Sequence, residues 1–236
     1  MKKSVFSSVC IALGLSLGTL VVAWGASFEK GYTAFQAGDY ATALKEWEPL
    51  ALQGDAAAQN NLGEMYDKGQ GVPQDHKAAV KWFSLAAEKG YVHAESNLGV
   101  MYDKGRGVSQ DYQTAAKWYT LAADKGDAVA QNNLAVLYDK GLGVSQDYKT
   151  AAKLYTLAAK QGIAIAQSNL GVMYYEGRGI PQDYVYAYMW LNIASMSGDK
   201  TPLKNREVVA KDMTPDQIAK AQNLSRDCYR DQFKNC

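Results

Sequence analysis

The chain has 236 residues, of which 47% are hydrophobic and 21% charged, and its net charge is +1. This composition excludes a disordered chain and gives no electrostatic footing for a nucleic-acid partner. With only His76 and His93 as histidines, metal chemistry and imidazole-based acid–base catalysis are disfavoured.

In chain order, the first element expected is an export signal over residues 1–26. Lys2 and Lys3 precede an uncharged run from Ser4 to Ala26, and the stretch from Val9 to Ala23 is rich in Leu, Val, Ile, Ala and Gly. Small residues follow, giving cleavage points after Ala23, Gly25 or Ala26, the pattern of a secretory signal. The run is also long enough to span a bilayer, so the alternative is an uncleaved segment that anchors the protein. The interrupting Gly and Ser residues and the small-residue exit favour cleavage, which predicts a periplasmic or secreted protein and membrane contact only if the segment is retained. Cys10 does not mark a lipid-modified cysteine, because it lies inside the apolar run with Val9 before it. Signal removal leaves Cys228 and Cys236. Two cysteines this close in an oxidising compartment predict one disulfide.

Residues 27–54 read as an irregular helix pair turned at Gly38-Asp39, with Ala43, Trp47 and Ala51 matching Ala79, Phe83 and Ala87 one period later. From there a repeat dominates. Gly69/Gly71, Gly105/Gly107, Gly141/Gly143 and Gly177/Gly179 recur every 36 residues. Asn61, Asn97, Asn133 and Asn169 keep the same step, as do Tyr66, Tyr102, Tyr138 and Tyr174, and Asp75, Asp111, Asp147 and Asp183. Gly54, Gly90, Gly126, Gly162 and Gly198 punctuate the units.

Each unit resolves into two helices. In the first, Ala58, Leu62, Met65 and Tyr66 follow one helical face, and Gly69 ends it in the left-handed conformation. Asp75 then caps a second helix whose inner face carries Ala79, Trp82, Phe83, Ala86 and Ala87. One such pair cannot bury its apolar face alone, so the pairs must stack. The fold class expected is all-α, a right-handed α-solenoid of antiparallel helix pairs, with four units over 55–200. Residues 201–236 read as a capping segment. There, Thr214-Pro215-Asp216-Gln217 forms a capping box and starts a helix running to about Tyr229.

The units Ala58–Gly90, Ala94–Gly126, Ala130–Gly162 and Ala166–Gly198 share the pattern A-x-x-N-L-G-x-M/L-Y-x-x-G-x-G-V-x-x-D-x-x-x-A-x-x-W-x-x-x-A-A-x-x-G. This pattern resembles the Sel-one-like repeat, the longer-looped relative of the tetratricopeptide repeat. Leu154 replaces the tryptophan of Trp82, Trp118 and Trp190, and Ala135 replaces the glycine of Leu-Gly. The resemblance implies a non-enzymatic adaptor or scaffold that binds a protein or peptide. Some cysteine-rich exported relatives bind or hydrolyse β-lactams, so the alternative is a cell-wall-active or β-lactam-binding protein. This chain lacks the disulfide that those relatives form within each repeat.

No catalytic residue, cofactor or metal ligand set is expected. The Gly-x-Gly loops follow helices, whereas a phosphate loop follows a strand. No nucleophile elbow surrounds a serine. Asn61, Asn97, Asn133 and Asn169 are expected as buried amides that bond the loop of the next unit. The first helices should line a concave binding face. With Leu62, Gly63 and Tyr66 turned inward, the candidate binding residues are Asn60, Glu64 and Asp67, then Ser96, Val100 and Asp103, then Asn132, Val136 and Asp139, then Ser168, Val172 and Tyr175. Val100, Val136 and Val172 would form an apolar stripe suited to an extended or helical peptide, with Lys68, Lys104 and Lys140 beside it. The alternative is that these valines pack against the adjacent first helix and that Asp67, Asp103 and Asp139 form a solvated face.

Overall fold

The structure, a computed structural model, describes residues 25–234 and 236. The expected export segment therefore falls, but for its last two residues, outside the described residues. No helix among the described residues is long and apolar enough to cross a membrane.

Twelve α-helices and no strands make up the described residues. They are α1 (Phe28–Gln36), α2 (Tyr40–Leu52), α3 (Ala56–Lys68), α4 (His76–Ala87), α5 (Val92–Lys104), α6 (Tyr112–Asp124), α7 (Ala128–Lys140), α8 (Tyr148–Lys160), α9 (Ala164–Glu176), α10 (Tyr184–Ser195), α11 (Lys200–Ala210) and α12 (Pro215–Arg230). Each helix packs on the next in sequence, as an α-solenoid requires, except that α12 returns to pack on α10.

The helix boundaries follow from local chemistry. Asp75, Asp111, Asp147 and Asp183 each accept two backbone N–H groups of the following helix, satisfying donors that no helical carbonyl reaches. Gly69 ends α3 at φ 68°, a left-handed turn that costs glycine little. The second glycine of the loop has a different reason. A Cβ on Gly107 would collide with the His76 carbonyl at the start of α4, so the loop can lie against the preceding unit only if that residue is glycine.

The core is divided into layers, and no layer belongs to one unit. Ala43, Trp47 and Ala51 of α2 pack with Ala58, Leu62 and Met65 of α3, and Trp82 of α4 covers them. Ala79, Phe83, Ala86 and Ala87 of α4 pack with Ala94, Leu98 and Met101 of α5 under Trp118. The same construction joins α6 to α7 and α8 to α9. Each second helix thus shares its core with the following first helix, while its tryptophan, or Leu154, reaches back one layer. Small residues permit the close approach: a Cβ on Gly63 would lie 2.6 Å from the Phe83 ring.

The C-terminal segment closes the stack. The capping box of Thr214 and Gln217 opens α12, which runs one residue past the expected end. Ala221, Ser225 and Cys228 are its buried face, and the Ser225 hydroxyl donates to the Met189 carbonyl at 3.3 Å. Cys228 and Cys236 are joined by a disulfide with Cα atoms 5.3 Å apart. The loop they close presses Phe233 against the α8–α9 layer, beside Gly162.

Candidate interaction surface

The first helices α3, α5, α7 and α9 carry the candidate residues, and their burial corrects the expected register. Asn60, Ser96 and Asn132 are only 3%, 5% and 7% exposed, so they lie in the seams between units, not on the open side. Asn60 Nδ2 donates to Glu64 Oε1 at 3.1 Å, and Asn60 Oδ1 accepts from Asn97 Nδ2 of the next unit at 3.0 Å. Ser96 Oγ donates to Asp127 Oδ1 at 3.1 Å, while Asn132 Nδ2 donates to Asn133 Oδ1 at 3.1 Å. Ser168 is half-buried.

The open stripe follows the helical positions 57, 61, 64 and 68 and their copies, spaced i, i+4, i+7 and i+11. Asn61, Asn97, Asn133 and Asn169 stand half-buried on it. They are therefore not buried amides tied to the next loop; the amide contacts run from helix to helix. Val129 and Ile165, 49% and 63% exposed, begin the stripe in α7 and α9. Both escaped the sequence reading, although they share the 36-residue step with His93. The stripe ends in the exposed Lys68, Lys104, Lys140 and Glu176.

Val100, Val136 and Val172 are half-buried and do not stand free. Val100 packs on the α6–α7 layer, Val136 on the α8–α9 layer, and Val172 against the cluster of Ala187, Leu191 and Val209. Each is shared between core and surface. The aspartate row is not a solvated face either. Asp67 Oδ1 lies 2.8 Å from His76 Nδ1, and its other oxygen is 3.8 Å from Arg106. Asp139 is met by Arg178 at 2.8 Å. The Tyr175 hydroxyl donates to Asp212 at 2.7 Å, which holds its pKa above the usual phenol range. Asp67 and Asp139 thus tie one unit to the next, and Tyr175 ties the last unit to the capping segment. Asp103 differs: its partner is Lys104, the adjacent residue, at 2.8 Å. Glu64 pairs with Lys68 at 2.9 Å on the surface of α3.

A buried polar series at positions 59, 95, 131 and 167 was also missed. Gln59, Gln131 and Gln167 each donate their amide to the carbonyl eight residues earlier, at 2.9, 3.3 and 3.1 Å. Glu95 occupies the fourth slot, with Oε1 2.6 Å from Lys125 and Oε2 buried without a partner.

Stacked two-helix units with shared core layers and a stripe recurring once per unit define a helical-repeat protein of the solenoid class. The Sel1 repeat profile matches residues 56–91, 92–127, 128–163 and 164–199. The chain belongs to the Sel1 repeat family. It is similar to the structure of a protective antigen present in uropathogenic Escherichia coli strains displaying an SLR fold, at 32% identity and a TM-score of 0.70 over 86% of this chain. The match covers 47% of that protein, so the chain spans about half of its length. A Sel1 repeat protein from Oxalobacter formigenes is 30% identical with a TM-score of 0.67, covering 88% of this chain and 78% of that one. A putative Sel1 repeat protein from Klebsiella pneumoniae subsp. pneumoniae, 23% identical with a TM-score of 0.52 over 76% of this chain and 89% of that one, shares the fold. No curated protein matches the chain. Sel1 repeat proteins generally mediate protein–protein interaction.

Proposed function

We propose that this chain is an exported, non-enzymatic scaffold that holds a peptide segment of a partner protein along the face formed by its first helices. The observation that carries this reading is the stripe itself. Val129 and Ile165 are exposed apolar anchors, Asn97, Asn133 and Asn169 offer amide donors and acceptors beside them, and lysines border the far edge. An apolar centre with a polar rim suits a protein partner. The first helices α5 and α7 of neighbouring units touch directly, and α9 touches α11 of the capping segment, which supports this row as the inner, concave side of the solenoid. Export is supported by the basic start and long uncharged run of the sequence and by the joined Cys228 and Cys236, since disulfides persist in oxidising compartments.

The test replaces Val129 and Ile165 together by glutamate and measures partner capture from the cell envelope by the folded protein. Capture should fall sharply, while the control Leu121→Glu, at an exposed position on α6, leaves it intact. Equal capture by the stripe variant, or loss in the control alone, would refute the reading.

A further inference from the structure

Three successive first helices carry Asp67, Asp103 and Asp139 one residue before their ends, and the loop that follows the next first helix reaches back to two of them. Arg106 approaches Asp67, and Arg178 binds Asp139 at 2.8 Å with its guanidinium over the Tyr148 ring, 5.3 Å from the centroid. One step of 36 residues earlier, Leu142 stands where Arg178 stands, Tyr112 where Tyr148 stands, and Tyr119 where Tyr155 stands. The middle seam therefore keeps the carboxylate and the aromatic ring but drops the cation. Tyr119 is fully buried, and its hydroxyl faces Asn133 and Asp103 without a hydrogen bond of ordinary length to either. Burial and the nearby Asp103 carboxylate push its pKa up. Among the described residues the cation paired with Asp103 is Lys104, whose side chain is more than half exposed.

We propose that the Asp103–Tyr112–Tyr119 seam docks an arginine side chain of the bound peptide, its guanidinium taking the place that Arg178 takes one unit further on. The inference rests on the peptide-binding reading above and deepens it. Arg178 shows what chemistry this seam accommodates: a planar cation that donates to the aspartate while its face lies on a tyrosine. A guanidinium does both at once, and an ammonium does not. Leu142 is too short to reach Asp103 in that way, yet it packs on the α6–α7 layer and leaves an apolar floor for an arginine stem. Lys104 can yield its place to another cation at little cost, because its own side chain is more than half exposed and returns to water. Asp103 lies one turn beyond Val100 on α5, at the edge of the stripe, so an arginine held there would set the register of the peptide.

The full chain is used to select binders from a random dodecapeptide display library, and enriched peptides are then titrated singly. Enriched peptides should carry arginine at a fixed position, and its replacement by citrulline should weaken binding by about tenfold or more, as expected for loss of a charge-assisted pair. Leu142→Arg, which supplies the guanidinium from within the chain, should weaken arginine peptides to the same degree, whereas Leu142→Met should not. Enriched peptides that lack arginine, bind equally well with citrulline, or ignore Leu142→Arg would overturn the arginine site. If such peptides still lose binding on Ile165→Glu, the general reading stands while this one falls. No enriched peptide at all would overturn both.

Discussion

Replacing Glu95 by glutamine should stabilise the protein. At the three equivalent positions a glutamine donates its amide to the carbonyl of Ala51, Ala123 or Ala159. The corresponding acceptor for position 95 is the Ala87 carbonyl, which already accepts from Gly90 and has a second lone pair to offer. A carboxylate has no proton to give it, and Glu95 Oε2 is left buried and unpartnered. The amide would add one hydrogen bond, a net gain of about 0.5–1.5 kcal/mol, and remove an orphaned carboxylate oxygen whose desolvation costs about 1–3 kcal/mol. Against this stands the attraction to Lys125, whose side chain is 39% exposed, a loss of about 0.2–1 kcal/mol after solvent screening. Glutamine keeps Oε1 as an acceptor for Lys125, so the balance favours the variant by about 1 kcal/mol, or about 2–4 °C in Tm for a chain of this size. Urea unfolding at neutral pH followed by circular dichroism measures it. A second comparison isolates the cause: Lys125→Met should cost more beside Glu95 than in the glutamine background, the difference being the same screened attraction of about 0.2–1 kcal/mol. A glutamine variant no more stable than the parent would refute the reasoning.

Other consequences are as direct. Phe83→Ala should destabilise by about 3–5 kcal/mol, because it empties the middle of a layer shared by α4 and α5, and chemical denaturation will read it. Gly107→Ala should also destabilise strongly, through the left-handed backbone and the His76 carbonyl in its path, and more than Gly126→Ala, whose Cβ would meet nothing within 4 Å. The Thr150 hydroxyl and backbone N–H groups hold Asp147 below its ordinary pKa of 3.8. Its contribution is therefore fully present above pH 3.8 and is lost as pH falls through the lower folded-state pKa, so Asp147→Asn should flatten the acid limb of the stability profile. Cys228→Ser with Cys236→Ser should raise amide exchange in the last turn of α12 and around Gly162, where Phe233 docks, and leave α3 to α6 unchanged; uniform exchange across the chain would contradict this.

The fold was legible because the 36-residue period repeats caps, glycines and alanines together, and each has a local reason. An aspartate that must cap, a glycine that must turn and an alanine that must let a helix approach leave little choice of architecture. The surface was legible in place but not in register. A helix rotates by 100° per residue, so a reading displaced by one residue put Asn60, Ser96 and Asn132 on the open side and Asn61, Asn97, Asn133 and Asn169 inside. Periodicity could not separate them, since Asn60 and Asn61 are both polar, and a seam between units can be lined with hydrogen-bonded amides as well as with apolar groups. Exposed Val129 and Ile165 carried a sequence signal, the shared step with His93, but valine and isoleucine read first as core. The long-range ties, Arg178 to Asp139 between units and Tyr175 to Asp212 of the capping segment, join residues 39 and 37 positions apart. They depend on how far one unit is translated from the next, which no local pattern encodes.

The central claim is that the stripe on the first helices is where a partner sits. Site-specific photocrosslinking tests it most directly, with a photoreactive amino acid placed at Ile165 on the stripe and, separately, at Leu121 on α6, in the chain expressed in its native cell. A discrete crosslinked species is expected from position 165 and absent from position 121. Crosslinks from position 121 alone, or equally from both, would contradict it.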